Sequence, residues 1–209
     1  MAITIVGLGP GGGQLLTRQA WDVLNATDVV YLRTARHPAV AELPAHVRPV
    51  SYDHIYDAAD NFAEVYRKIA ADVVERGQAA KTRQSTVVYA VPGHPYIGES
   101  TGTAIVEAAE AAGIPVTVVS GLSFVEPTLA AIGVDGLEGL QVFDALEIAD
   151  YHYPPIGGDM PLLLGQVYNR LLAGSLKLAL MNVYPDEHEV YLVHAAGHKE
   201  QLVERLPLF

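Results

Sequence analysis

The sequence predicts an α/β protein whose core is a parallel sheet covered by helices, and three observations carry that prediction. Short β-branched runs alternate with longer runs of helical spacing through the first half of the chain. Thr86 to Val91 is almost wholly apolar, as a strand buried on both faces of a sheet must be. Three strand-like runs end in small-residue loops: Gly7-Leu8-Gly9-Pro10-Gly11-Gly12-Gly13, Val91-Pro92-Gly93-His94-Pro95-Tyr96-Ile97-Gly98-Glu99 and Ser120-Gly121-Leu122-Ser123-Phe124. Loops that leave a strand and enter a helix bring backbone N–H groups together, so open α/β sheets bind ligands there. Three of them suggest one composite pocket.

In chain order, Ala2 to Val6 reads as a strand, Leu15 to Asn25 as a helix and Asp28 to Leu32 as a second strand. Asp60 and Asn61 offer N-caps for a helix through Glu75, with Phe62, Val65, Ile69 and Val73 at helical spacing and Gly77 as its stop. After the strand Thr86 to Val91, Ser100 or Thr101 caps a helix over Ala104 to Ala112 that Gly113 ends, and Pro115 to Val119 is the next strand. The second half changes character. Gly136 to Asp159 is loop-rich, carrying Tyr151-His152-Tyr153-Pro154-Pro155 and Gly157-Gly158. Short strands follow at Leu162 to Leu164 and Val190 to Val193, with a helical run between Val167 and Met181. The simplest division is one α/β domain over residues 1–119 and another over 120–209, with the third loop at the junction, where ligand pockets concentrate.

A chain of 209 residues that is 50% hydrophobic can bury a substantial core. It has no cysteine, which excludes a disulfide framework, thiol catalysis and cysteine-ligated zinc or iron–sulfur sites. The N-terminal residues show no basic segment or small-residue cleavage pattern, and no apolar run approaches the ~18 residues of a spanning helix. A soluble, cytoplasmic protein with no membrane partner is therefore expected. The formal charge is −11, from 24 acidic and 13 basic side chains, and no basic cluster exceeds Arg67-Lys68. Phosphate neutralisation needs a basic face, so nucleic acid is not an expected partner, whereas a cationic ligand suits this balance.

Gly7-Leu8-Gly9-Pro10-Gly11-Gly12 fits the G-x-G-x-x-G fingerprint of a dinucleotide site. Against that reading, Arg33 and not an acid closes the second strand, and Pro10 removes one backbone donor from the cradle. A tight turn demanded by packing is the other reading. His194 and His198, with Glu187-His188-Glu189 nearby, are metal-ligand residue types, but a strand over Val190 to Ala195 followed by Gly197 prevents a shared helical face, so no metal is expected. Glu107 and Glu110 lack a facing carboxylate pair and read as the solvated side of their helix. No serine sits in a G-x-S-x-G elbow, and the catalytic residues, if any, stay unassigned.

Taken together, Val6-Gly7-Leu8-Gly9-Pro10-Gly11, Pro92-Gly93-His94-Pro95 and Val119-Ser120-Gly121-Leu122-Ser123-Phe124 resemble, in order and spacing, the tetrapyrrole (corrin/porphyrin) methylase family. Within it the chain is most similar to the methylase-type domain at the N-terminus of proteins fused to a MazG nucleotide pyrophosphohydrolase. The supporting residues are Gly93-His94-Pro95, Gly121-Leu122-Ser123-Phe124, Gln166-Val167-Tyr168 and Lys177-Leu178-Ala179-Leu180-Met181 through Tyr184-Pro185-Asp186-Glu187-His188. The resemblance spans essentially the whole chain. It implies a two-domain, tetrapyrrole methylase-like α/β fold with S-adenosyl-L-methionine in the cleft between the domains, commonly in a homodimer. Carried over residue by residue, it implies cofactor contacts from Pro10 in the first loop, Gly93, His94 and Ile97 in the second, Ser123 and Phe124 in the third, and Leu146, Gln166 and Ala196 in the C-terminal domain. Most members have Gly-Asp-Pro in the second loop. His94 takes the Asp position here, as in the MazG-linked subgroup, which removes a carboxylate near the cationic sulfonium.

The implied activity is methyl transfer from S-adenosyl-L-methionine to a small-molecule acceptor. That cofactor carries its own activated methyl group, so the protein supplies binding, orientation and exclusion of water, and no catalytic dyad is needed. His94 or Tyr96 is a candidate base for an acceptor that must lose a proton. Early tetrapyrroles carry many carboxylates, which a chain at −11 repels unless Arg33, Arg36, Arg48 and Arg170 gather at the opening. The alternative is a module that binds the cofactor without methylating and serves a C-terminal MazG-type pyrophosphohydrolase domain absent from this chain. Tyr151 to Ile156 and Asp53 to Phe62 place aromatics in loop-like sequence, fitting either a dimer interface or a lid over the chain's own cleft.

Overall fold

A computed structural model describes residues 2–58 and 61–209, the side chain of Asp57 excepted. The chain divides into two compact units, Met1–Ser123 and Phe124–Phe209. In the first unit the elements run β1 (Ile3–Gly7), α1 (Arg18–Asn25), β2 (Val29–Leu32), β3 (Arg48–Ser51), α2 (Asp53–Ala58), α3 (Phe62–Arg83), β4 (Val87–Val91), α4 (Ser100–Ala111) and β5 (Val116–Val119). The five strands form one parallel sheet in the order β3-β2-β4-β1-β5. Every residue of β1 and β4 is buried, because each strand has a neighbour on both edges and helices over both faces.

Alternation along the strands feeds two cores. Ile3, Ile5, Tyr89 and Val91 meet Ile69 and Val73 of α3 and Ile105 and Ala109 of α4. Val6, Val30, Leu32, Val88 and Ala90 meet Ala20 and Leu24 of α1 on the opposite face. The chain leaving β1 thus turns to one face and the chain leaving β4 turns to the other. Their carboxyl ends, side by side at the sheet centre, form a topological switch point, the place where open α/β sheets hold ligands.

The helix termini correct two expectations. Asn61 caps α3 by accepting from Glu64 N at 2.9 Å, whereas Asp60 lies outside the described residues. Gly77 does not stop that helix: it lies inside α3 against Ile3, where a Cβ would come within 2.5 Å of Ile3 Cδ1, and the helix continues to Arg83. Close helix-to-sheet packing, not chain reversal, is the use made of this glycine. Neither Ser100 nor Thr101 caps α4. The cap is Glu99, whose carboxylate accepts from Thr101 N at 2.7 Å.

The second unit contains α5 (Val125–Ile132), β6 (Gln141–Asp144), α6 (Ala145–Ala149), β7 (Leu162–Gly165), α7 (Arg170–Leu180), β8 (Glu189–His194) and β9 (Leu202–Pro207). Strands β6 and β7 pair in parallel, and β8 and β9 form an antiparallel ribbon. The core gathers Ala145 and Ile148 of α6 and Leu172, Leu176 and Leu180 of α7 around Tyr184. The stretch expected to be loop-rich, Gly136 to Asp159, therefore holds a strand and a short helix. Among the described residues no helix is long and apolar enough to cross a membrane.

Candidate functional site

The three small-residue loops of the first unit leave β1, β4 and β5, which are adjacent, at their carboxyl ends. Leu8 N donates to Val91 O at 2.8 Å; Gly9 N then donates to Gly93 O at 3.2 Å and Gly93 N returns a bond to Gly9 O at 2.7 Å. A Cβ on Gly7 would come within 2.5 Å of Gly121 N and 2.6 Å of Gly93 O. The loops are therefore in backbone contact, and glycine is required because a side chain would occupy space the facing main chain fills. Thr17, the N-cap of α1, donates its hydroxyl to Ser120 O at 3.1 Å and ties the first loop's helix to the third loop.

This packing brings together the loops that carry the residues implied for the first unit. Pro10 follows the bridged Gly9, and His94 follows the bridged Gly93. His94 is half-buried; its Nδ1 accepts from Tyr96 N at 3.1 Å and its carbonyl accepts from Ile97 N at 3.1 Å. Tyr96 and Ile97 are exposed, and Ser123 is buried. The 3-10 segment Pro38–Glu42 braces the first loop from outside, with Glu42 accepting from Gly13 N at 2.7 Å. His37, just before it, faces the Gly9 backbone. Its Nδ1 is buried with no hydrogen-bond partner among the described residues, and burial holds its pKa below the ordinary histidine value.

Sequence reasoning missed a polar network beside these loops. Arg33, the residue after β2, donates from Nη1 to Glu99 Oε2 at 2.7 Å and from Nε to Tyr56 OH at 2.9 Å. Glu99 also accepts from Thr101 N and from the Thr101 hydroxyl, which in turn pairs with Tyr89 OH at 2.7 Å. Burial opposes the Arg33 charge, but Glu99 and Tyr56 outweigh it and raise the guanidinium pKa. Burial above all raises the Tyr89 hydroxyl, with the Glu99 charge adding to it. The only sequence signals were an acid immediately before a helix and an arginine at a strand end. The pairing also bears on the expected cluster of arginines: Arg33 is neutralised by Glu99, Arg36 stands near Asp53, and Arg170 belongs to the other unit.

In the second unit, Phe124, Leu146 and Gln166 converge at the carboxyl end of the β6–β7 pair. Asp144 and Gly165 are register partners there. Asp144 accepts from Leu146 N at 2.9 Å through one oxygen and from Gln166 Nε2 at 2.8 Å through the other. The Phe124 ring lies so close to Gly165 that a Cβ there would come within 2.7 Å of it. Gln166 takes a left-handed backbone, φ 66°, which only a constrained non-glycine residue adopts. An open pocket of about 360 Å³ lies beside Leu146, between α6 and α7. Ala196 sits in the turn between β8 and β9, after Ala195 with φ 48°. Among the described residues there is no group of three or more side chains placed to hold a metal ion, His194 and His198 included.

A parallel sheet with glycine loops crowded at its switch point defines an α/β protein of the open-sheet, ligand-binding class. The chain belongs to the tetrapyrrole (corrin/porphyrin) methylase family, whose sequence model matches residues 2–209. It is 35% identical over 215 residues to the uncharacterized protein YabN of Bacillus subtilis (strain 168), an alignment that covers 99% of this chain and 41% of YabN. The chain thus spans about two fifths of that relative's length. Its fold is similar to uroporphyrin-III-C-methyltransferase from Thermus thermophilus, with a TM-score of 0.74 at 24% identity over 100% of this chain and 86% of that one. A structure of the Thermus thermophilus uroporphyrin-III C-methyl transferase complexed with S-adenyl homocysteine gives 0.63 at 21% identity over 99% and 83%. The methyltransferase CobJ gives 0.72 at 17% identity over 99% and 86%.

Proposed function

We propose that this chain binds S-adenosyl-L-methionine at the Gly7, Gly93 and Gly121 loops and transfers its methyl group to a small-molecule acceptor. The observation that carries the reading is the mutual backbone contact of the three glycines at the switch point, joined by the Gly9–Gly93 bridge. Membership of the methylase family and the fold shared with a methyltransferase complexed with S-adenyl homocysteine support it. The residues fit such a group. Glycine loops let a ligand approach the main chain closely, and the chain's acidic balance of −11 accommodates a cation. When bound, the cofactor supplies an activated methyl on a sulfonium, so no protein nucleophile is required.

The chain's own residues bind and orient. Pro10, Gly93, His94, Ile97 and Ser123 are the proposed contacts of the first unit. Phe124, Leu146, Gln166 and Ala196 are proposed for the second on the strength of the family resemblance. The interlocked loops pre-set that geometry, which lowers the entropic cost of binding. The resemblance to MazG-linked proteins extends the proposal to a cytoplasmic homodimer working beside a MazG-type pyrophosphohydrolase. In that setting a module that binds the cofactor without methylating is the second reading, favoured by His94 standing where most of the family has a carboxylate.

Calorimetric titration with S-adenosylmethionine, S-adenosylhomocysteine and NAD tests the proposal. Binding of the first two, and not of the third, is the expected result. Tight binding of NAD alone would overturn it in favour of the dinucleotide reading.

A further inference from the structure

We propose that Arg33 is a positioning residue that holds the second glycine loop in its binding geometry through Glu99, an inference that rests on the cofactor reading above. The loop Pro92 to Glu99 is pinned at its entry by the paired backbones of Gly9 and Gly93. At its exit the pin is a side chain. Glu99 caps α4, and its carboxylate is 1% exposed. A carboxylate so buried persists only when its oxygens are paired. Thr101 N and the Thr101 hydroxyl satisfy Oε1, and among the described residues Arg33 alone is bonded to Oε2, at 2.7 Å.

Arg33 is itself anchored to the sheet. Its N–H donates to Ala90 O at 3.0 Å, continuing the β2–β4 pairing by one residue. Its Nε donates to Tyr56 OH, and its guanidinium lies over the Tyr66 ring at 5.8 Å. A continuous set of contacts therefore runs from the sheet, through the Arg33 side chain, to the far end of the loop. Between the two pins, the hydrogen bonds of His94, Tyr96 and Ile97 among the described residues are short-range ones within the loop, and Tyr96, Ile97 and Gly98 are exposed. Removing the guanidinium strands the Glu99 carboxylate, which must then take a proton or reach for water. Protonation weakens the cap that Oε1 gives α4 and reaching for water displaces it, so the exit of the loop loosens, and with it the residues proposed to touch the cofactor.

The test uses R33M, R33K, E99Q and the R33M/E99Q pair in the full chain, with two readouts: hydrogen exchange and calorimetry with S-adenosylhomocysteine. In R33M the 93–99 amides exchange faster while those of β1 and β4 keep their protection, and affinity falls by ~10-fold or more, the size expected for a charge-assisted bond. E99Q behaves alike, the double variant loses no more than the worse single one, and R33K recovers part of both readouts. Unchanged loop exchange in folded variants, or uniform loosening of the whole first unit, overturns the positioning role. Should R33M fail to fold, R33K and E99Q decide by the same criteria. A wild-type chain that does not bind S-adenosylhomocysteine overturns the cofactor reading, while loop exchange still supports or overturns the part played by Arg33.

Discussion

Two glycines of this chain stand in opposite surroundings, and single substitutions separate their roles. Gly121 faces the backbones of Gly7 and Gly93, so a methyl group there must push main chain aside. G121A is expected to lower the unfolding free energy by about 1–3 kcal/mol or more, as overpacking does. At Gly174 in α7 an added Cβ would meet nothing within 4 Å, and G174A is expected to raise stability by about 0.5–1 kcal/mol through helix propensity. Urea denaturation checks both, and equal effects would refute the distinction. His37 supplies a pH-dependent counterpart. Burial keeps its folded pKa below the unfolded value, so the unfolded chain binds the extra proton first. Stability contributed by the neutral ring is full above about pH 6.5 and is lost as pH falls through the unfolded and then the folded pKa. H37Q should flatten that part of the acid loss in denaturation curves between neutral and mildly acidic pH. Identical pH slopes in both proteins would remove His37 as its source.

At the scale of elements, local caps are expected to carry measurable weight. Asn61 is the capping side chain of the long helix α3, and N61A should cost about 1 kcal/mol in thermal or urea denaturation. A cost near zero would show that the packed face of α3 alone sets its stability. These caps also show what is legible in a sequence. β1 and β4 were legible because strands at a sheet centre are continuous apolar runs, and Asn61 was legible because an Asn before a helical pattern is a local signal. Gly77 was misread because the partner that requires it, Ile3, is remote in sequence. The edge strand β3 begins Arg48-Pro49, and neither residue signals a strand, since an edge position tolerates both. The α6 helix is five residues long, too short to show a helical period. The site divides in the same way. The three loops announced themselves by composition, whereas the Arg33–Glu99 pair joins residues whose proximity only the sheet order creates.

For the whole molecule, charge and assembly are the remaining handles. At −11 overall the chain carries no net positive charge to draw a polycarboxylate acceptor, and the Arg33 guanidinium is already paired to Glu99. Exposed Tyr151 and Tyr153, together with the family resemblance, fit the proposed homodimer. Light scattering at micromolar concentration is expected to return the mass of two 22.4 kDa chains, and a stable single-chain mass would contradict the dimer.

The backbone cradle at the switch point is the proposed seat of the cofactor. Amide chemical shifts, mapped while S-adenosylhomocysteine is added to the isotope-labelled chain, report on that seat residue by residue. Saturable shifts are expected at Gly9, Gly93, His94 and Gly121, with little change at the buried amino end of the sheet, at Ile3 and Val87. Saturable binding with no shift at any of those three loops, or no binding at all, would contradict it.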